Sequence, residues 1–517
     1  MKSDVLEAEK ITRARFHRSK DGEKQVVSTY AYQIMIIKVL SALVQQTSYV
    51  PDEFYQSTDV VHNFVLNETR LTWEWRGSTP IRSPIWLLPI LILGKVLFLI
   101  GLYRFVNLHT IMRLYVGLAS GFSEVAFLKM IGKTFNSSAV TEATFMLMTL
   151  SFHQLYASSR PLSNSMEYAL FTFTLSYFSD DLLSSSSTVY LYPAALSIIM
   201  RPTSATFYIP LFLLHFYHSE DRFTLLAKSV KITVIIFALC IGIDSLWFGE
   251  YTITPFNFLK INVLDNIAVF YGRNRFFGWY LTQGLPVSCG FSFIFALVGI
   301  FQCQMFTKVE QGLLITLVFN WLILEIGSEH KEFRFIMSAL AILTILGAKA
   351  AARVFQTEWI KKLYIAVNFM IAVYLSMVHQ RGPADLARYL RVELCSNAEG
   401  ASIRFFGPCH VMPGEYSRFC LKGNHLDLVQ LECPPPIPGI SENSKTEVDL
   451  FHEDPEDFLY KDLSRKKYEY LAFFDKHESK LERTLHELEY FQIKSFFHSP
   501  SPLDDASRNI VLYKLKK

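Results

Sequence analysis

Apolar runs broken by short polar stretches dominate the chain from Tyr30 to His379, and the pattern then stops. The runs are Tyr30–Leu43, Pro84–Phe105, Leu114–Ile131, Thr141–Tyr156, Met166–Tyr177, Ile232–Trp247, Val287–Phe306, Leu313–Ile326, Phe335–Leu346 and Leu363–His379. Between them lies Val189–His218, two apolar runs around Met200-Arg201-Pro202. A helix crossing a bilayer takes about 20 apolar residues, so the pattern predicts an all-α polytopic membrane protein of about 11 spans. Val189–His218 is read as one broken, partly re-entrant element that crosses once. Breaks at membrane depth are tolerated where protein buries them or where they line a wet cavity.

Three regions follow: a basic N-terminal segment (1–29), a transmembrane domain (30–380) and a C-terminal region (381–517). The last divides into a Cys-containing, Pro-rich loop part, an acidic linker over Glu442–Asp457 and a small α/β unit. In that unit Tyr468–Phe474, Phe491–Phe497 and Asn509–Leu515 read as strands and Lys480–Leu488 as a helix.

Composition agrees with a membrane protein: 51% of the 517 residues are hydrophobic and mean hydropathy is +0.23. A net charge of +3 makes no case for nucleic acid. Residues 1–29 are too polar for a cleavable signal peptide. Their Lys10, Arg13, Arg15, Arg18, Lys20 and Lys24 assign them to the cytosol by the positive-inside rule. The first span then delivers Asp52 and Glu53 to the lumen, Pro84–Phe105 returns to Arg104 and Arg113 in the cytosol, and Leu114–Ile131 rises again. The tail falls in the lumen. Two glycosylation triplets, at Asn67 and Asn136, fall in predicted lumenal loops. Cys395, Cys409, Cys420 and Cys433 are disulfide candidates there, whereas Cys240, Cys289 and Cys303 read as small buried side chains.

Polar groups gather at the predicted lumenal face. Pro51 suits a first helical position, and a helix from there places Asp52, Gln56, Asp59 and Asn63 on one face and Phe54, Val61, Phe64 and Val65 on the other. That is a helix lying on the membrane with its acids up, or an ordinary capped surface helix. Neighbouring helical residues diverge by about a hundred degrees, so Asp52 and Glu53 cannot share one substrate proton. One can act as a base while the other holds a helix end or a cation. His330-Lys331-Glu332-Phe333-Arg334 breaks the charge rule between two spans. Lys331 and Arg334 suit a lipid-linked phosphate, unless the turn is simply a loop with a local ion pair. Asn164 and Glu167 share a helix face, with a helix cap at Ser163 or Asn164 as the plainer reading. Arg201 precedes a kink, and His62 reads as a hydrogen-bonded interface residue. No phosphate-binding loop, dinucleotide fingerprint or nucleophile elbow occurs, and one His with one Glu is too few for zinc.

Val50-Pro51-Asp52-Glu53-Phe54-Tyr55-Gln56, His330 through Phe335, Arg160 through Glu167 and Arg201-Pro202-Thr203 occur in an order that resembles the dolichyl-phosphate-mannose-dependent mannosyltransferases of the GPI-anchor and N-glycan pathways. Leu71-Thr72-Trp73-Glu74-Trp75, Thr282 through Pro286, Pro408-Cys409-His410 and Leu431 through Pro435 are similar to the subfamily acting on the GPI precursor. The His- and Trp-rich run usual after Tyr271-Gly272 is replaced by Arg273 through Tyr280. The resemblance implies a C-type glycosyltransferase fold in the endoplasmic reticulum membrane. It implies inverting transfer of the third GPI mannose, α-1,2-linked, from dolichyl phosphate mannose. The physical needs then assign Asp52 as base with Glu53 in support, and Lys331, Arg334 and His330 to the donor phosphate. Gln56, His62, Arg160, Asn164, Glu167 and Arg201 are further substrate-binding candidates. A phosphate leaving group is already anionic, so no metal or cofactor is expected, nor can a protein partner be inferred. The rival readings are the same chemistry on the N-glycan precursor, and a transporter.

Overall fold

The computed structural model describes residues 27–67, 71–77, 79–302, 307–394, 401–414, 426–437, 441, 445–500 and 507–516. The membrane part is helical: α1 (Val27–Val44), α2 (Asp59–Leu66), α3 (Leu88–Leu99), α4 (Leu108–Phe135), α5 (Ser138–Thr149), α6 (Phe152–Ala157), α7 (Ser163–Leu175), α8 (Asp180–Ser184), α9 (Leu191–Met200), α10 (Ala205–His218), α11 (Arg222–Phe248), α12 (Thr254–Phe258), α13 (Leu285–Cys289), α14 (Phe291–Gln302), α15 (Lys308–Gly327), α16 (Ala339–Val354) and α17 (Glu358–Met377). Local chemistry sets many of their ends. Asn107 caps α4 by accepting from Thr110 N at 3.2 Å, and Thr307 with Glu310 forms a capping box on α15. Gly290, at φ +54, sits where the α13 and α14 segments bend by 115°.

Among the described residues, α1, α4, α11, α15 and α17 are long and apolar enough to cross a membrane, and the bent α13–α14 pair is a sixth candidate. Leu246 of α11 and Phe301 of α14 are 88% and 84% exposed, as lipid-facing side chains are. Inside the bundle, small residues allow close approach. A Cβ on Gly299 or Gly347 would strike the backbone of the facing helix in the α14–α16 pair.

Contacts fix the direction of each helix relative to Asp52. Arg113, one turn into α4, donates to the carbonyl of Gln45 at 2.7 Å, just past the end of α1. Lys38 and Glu124 pair midway along the two helices at 2.6 Å, so α1 and α4 run antiparallel. Glu142 of α5 meets Lys361 of α17 at 2.7 Å, at the end of the bundle opposite Asp52, and Arg160 after α6 returns to Glu53. α4 therefore leaves the Asp52 end, α5–α6 returns to it, and α7 leaves again. These directions are the reverse of those expected for Leu114–Ile131, Thr141–Tyr156 and Met166–Tyr177.

One missing crossing causes the reversal, and one extra traverse ends it. Pro84–Phe105 does not run to the far end: Ser83 is tied to Asp244 of α11 at 2.6 Å, and Tyr103 beyond α3 is 3.1 Å from His62 of α2. Both ends of α3 stay in the Asp52 layer, and Arg113 lies at that end. Val189–His218 in turn traverses the bundle twice. Tyr190 and His215 are 3.0 Å apart at its base, and Arg201 at its tip reaches α7. One expected crossing is lost and one traverse gained, so the helices after Val189–His218 keep their expected directions. Asn136 consequently lies at the end opposite Asp52, whereas Asn67 caps the helix that Asp52 begins.

That helix starts after Pro51, as expected, but it does not lie on a membrane surface. Glu53 through His62 are all buried. A π-helical turn over Phe54–Thr58 also changes the angular step on which the two-faced reading relied.

After α17 and α18 (Gly382–Tyr389) the tail forms one mixed sheet, in the order β2-β1-β3-β5-β4. The strands are β1 (Ser402–Phe406), β2 (Asp427–Gln430), β3 (Tyr470–Phe474), β4 (Tyr490–Phe497) and β5 (Asn509–Leu515). β1 is parallel to both β2 and β3, with Ile403 opposite Leu428 and Tyr470. The Cys-containing part is thus built into the same sheet as the α/β unit. The described part of the expected acidic linker is largely helical instead, in α19 (Glu447–Glu453) and the start of α20 (Pro455–Arg465), followed by α21 (Glu478–Glu487). Its acids have structural partners: Asp449 completes a capping box with Thr446, and Glu447, together with Asp462 beyond the linker, pairs with buried Arg404 of β1 at 3.3 and 3.0 Å.

Candidate active site

The two acids of the opening helix have different surroundings. Glu53 is fully buried, 2.9 Å from the Arg160 guanidinium, and accepts from the backbone of Tyr49. Arg160 is held in turn by the Thr47 hydroxyl at 2.8 Å and lies 4.3 Å over the Tyr156 ring. Arg160 is thereby an internal strut of the bundle. Asp52 keeps 27% of its side chain exposed and is held from one side by Arg334 Nη1 at 2.5 Å.

Arg334 lies in the turn between α15 and α16, where Glu332 fixes its other edge at 2.5 and 2.7 Å. His330 backs Glu332: its Nε2 faces the carboxylate at 2.8 Å and its Nδ1 faces the carbonyl of Gly272 at 2.9 Å. Both of those partners are acceptors, so the ring is best satisfied with both protons on. Burial disfavours the imidazolium, but the Glu332 contact outweighs it and raises the His330 pKa. Burial likewise works against the Glu332 carboxylate, yet Arg334 and His330 hold its pKa down to about 2. The same two carboxylates, Asp52 and Glu332, raise the Arg334 pKa against its burial.

Lys331 faces elsewhere. Its buried ammonium pairs with Glu325 at the end of α15 and donates to the carbonyl of Phe276 at 2.8 Å. Of the two cations expected at the donor phosphate, only Arg334 touches Asp52. A different cation comes near. Arg201 at the hairpin tip and Arg334 approach the same Phe335 ring, at 5.8 and 5.6 Å from its centroid. Asn164 bridges them, donating to the carbonyl of Arg334 at 3.2 Å and accepting from Arg201 at 3.3 Å. Glu167 pairs with Arg201 at 2.9 Å, so Asn164 and Glu167 do share a face. The cap of α7 is Leu162, not Ser163 or Asn164.

Gln56 donates to Glu74 at 3.0 Å, and Arg82 grips Glu74 at 2.7 Å. The charge of Arg82, like those of Arg334 and Asp52, acts on Arg201. His62 is the hydrogen-bonded packing residue expected, on Tyr103.

The tail closes over this layer. Cys409 and Cys433 are disulfide-bonded, while Cys395 and Cys420 lie outside the described residues. Cys240 and Cys289 are buried and free, and Cys303 also lies outside them. Among the described residues, the one group with potential metal-ligand spacing is Cys409, His410 and Cys433, and its two sulfurs are joined to each other.

Sequence reasoning placed Glu332 in the charged turn without giving it a role, and it missed Glu74, Arg82 and His410 as members of this layer. It also missed the pair of Lys38 and Glu124 inside the bundle, which Tyr168 and Thr149 complete at 3.0 and 2.9 Å. A lysine and a glutamate inside two apolar runs were the available signal for that pair.

The chain is 34% identical over 440 residues to a Drosophila melanogaster protein named GPI mannosyltransferase 3, covering 82% of this chain and 74% of that one. It is 30% identical over 489 residues to human GPI alpha-1,2-mannosyltransferase 3, covering 93% and 86%. Among solved structures, ArnT from Cupriavidus metallidurans bound to undecaprenyl phosphate superposes with a TM-score of 0.55 at 11% identity, covering 94% of this chain and 97% of that one. That likeness shows the fold alone, and it is the C-type glycosyltransferase bundle. The Alg9-like mannosyltransferase family pattern matches residues 29–417, a span that holds Asp52, Arg201, Arg334 and His410. The chain belongs to the Alg9-like mannosyltransferase family.

Proposed function

We propose that the protein transfers mannose from dolichyl phosphate mannose to the GPI-anchor precursor, making the α-1,2 bond of its third mannose. The relatives named for that activity support the acceptor, and the ArnT structure bound to undecaprenyl phosphate supports a lipid-phosphate donor. In this reading the protein sits in the endoplasmic reticulum membrane with its N-terminal segment cytosolic and with the Asp52 end and the tail lumenal.

The observation that carries the chemistry is the contrast between the paired acids: Glu53 is sealed against Arg160, whereas Asp52 is partly open beside a cation. Asp52 takes the proton of the acceptor hydroxyl as that oxygen attacks the anomeric carbon. The bond to the dolichyl phosphate breaks on the opposite face, so a β donor gives an α product. The departing phosphate is anionic and needs positive charge rather than an acid. Arg334 and Arg201, flanking Phe335, supply it; His330 and Glu332 hold Arg334 in place. Lys331, fixed to Glu325, supports the Phe276 segment. Glu53 and Arg160 keep the Asp52 helix in position, and Gln56 with Glu74 lines the acceptor side. The reaction so drawn calls on no cofactor beyond the lipid-linked donor.

Purified protein in lipid nanodiscs, given labelled dolichyl phosphate mannose, should mannosylate a two-mannose GPI precursor to a product that an α-1,2-mannosidase trims. Transfer to an N-glycan lipid precursor instead, or to neither acceptor, would overturn the reading.

A further inference from the structure

The segments that leave β1 and β2 both run toward the Asp52 helix. The two strands are adjacent and parallel, so their C-terminal ends point the same way. Cys409 and Cys433 each follow their strand by three residues, and their disulfide ties the two exits together. Ligands of open parallel sheets are commonly met at such strand ends.

Between the staple and the helix stands His410. Its φ is +56, a left-handed conformation that a side chain bearing Cβ rarely adopts outside a constrained turn. The surroundings over-determine it. The ring packs on Tyr55 with centroids 4.6 Å apart, three residues along the helix from Asp52. The Tyr55 hydroxyl donates to the carbonyl of Met412 at 2.6 Å and accepts from Gln430 at the end of β2 at 2.5 Å. Gln430 also bonds both backbone groups of Met412 at 3.0 Å. On the far side Tyr271 donates to the carbonyl of Cys433 at 3.4 Å and accepts from Trp73 at 2.7 Å. The imidazole lies within electrostatic reach of Asp52 and Arg76. Burial lowers its pKa to about 4, so the ring is neutral at physiological pH. Among the described residues, neither ring nitrogen makes a hydrogen bond. A neutral imidazole offers one donor and one acceptor, the complement of a sugar hydroxyl.

We propose that His410 is an acceptor-binding residue: the disulfide-stapled loop of the tail holds its imidazole above the Asp52 helix, where it hydrogen-bonds a hydroxyl of the acceptor glycan. This rests on the mannosyltransferase reading and deepens it. The tail thereby completes the acceptor side of a site whose donor side lies in the membrane bundle.

The experiment is steady-state kinetics with donor and acceptor varied in turn, on wild type, His410→Ala and His410→Gln. Thermal midpoints and a non-reducing peptide map of the Cys409–Cys433 bridge accompany it. Losing one neutral hydrogen bond should raise the acceptor KM of His410→Ala by about three- to tenfold while the donor KM stays unchanged. His410→Gln, which keeps a donor and an acceptor, should recover most of that loss. An unchanged acceptor KM in His410→Ala overturns the proposal. So does a fall in midpoint or loss of the bridge that accounts for equal losses toward both substrates in both variants. If wild type itself transfers no mannose to the GPI precursor, it is the proposed function that fails instead.

Discussion

Replacing each of the paired acids by its amide should separate chemistry from architecture. In Asp52→Asn the amide keeps the size of the carboxylate and can still accept from Arg334, whose other edge stays anchored on Glu332. Only proton acceptance is lost, a change of about a hundred- to ten-thousandfold in turnover for a general base. The side chain is partly exposed, and the thermal midpoint should stay close to wild type. Glu53→Gln is the converse. Glu53 and Arg160 are both fully buried, and removing one partner leaves a guanidinium uncompensated in the bundle. Breaking such a pair costs about 3–5 kcal/mol. The carbonyls of Thr47 and Tyr156 still contact Arg160, so the lower end of that range applies. Glu53→Gln should therefore be recovered in low yield with a depressed midpoint, yet its folded fraction should turn over. The measurements are mannose transfer per folded molecule and thermal unfolding of detergent-purified protein. A stable, inactive Glu53→Gln beside an active Asp52→Asn would make Glu53 the base. Activity in both would remove the base from this helix altogether.

Three further outcomes are expected. Arg201→Ala and Arg334→Ala should weaken donor use by about ten- to a hundredfold, the loss of a charge-assisted contact, whereas Lys331→Ala should lower the thermal midpoint and leave the donor KM of its folded fraction unchanged; a donor KM raised by Lys331→Ala alone would return the phosphate to that residue. His330 has a folded-state pKa above its ordinary value, so its stabilisation is complete below that ordinary value and is lost as pH rises through the folded pKa. The midpoint gap between wild type and His330→Gln should be widest near pH 6 and close toward pH 9, and a gap independent of pH would refute the charge assignment. Single cysteines at Asp181 and Glu220, on either side of the Arg201 hairpin, should react with a membrane-impermeant maleimide from the same side; labelling from opposite sides would restore a single crossing of that stretch.

Apolar length and periodicity made the helical runs of the bundle visible in the sequence, but not the direction of each, nor that Val189–His218 traverses twice and Pro84–Phe105 not at all. Direction was inferred from basic residues at the ends of runs, and that inference presumes that such residues face solvent. Arg113 does not: it reaches into the bundle to the carbonyls of Gln45 and Thr47. Nor does an apolar run of spanning length have to cross, when Ser83 and Tyr103 tie its two ends to one layer. The strands β1 and β2 were hidden for a related reason, being short and flanked by prolines and cysteines whose role is set by the bridge between them.

The site was legible to the same depth. A tandem acid at a helix start and a cluster of charges between two spans both stand out, because each is costly near a membrane. What spacing could not show is which cation meets which acid. Glu325 lies six residues before Lys331, at the end of the helix that leads into the turn, and it captures that lysine locally. Arg334 is left to cross to Asp52, 282 residues earlier in the chain, and Glu332 between the two cations decides the division by holding Arg334 and His330 together. The alternation of acid and base in Glu325, Lys331, Glu332 and Arg334 is therefore the device that aims one cation at Asp52 and turns the other away.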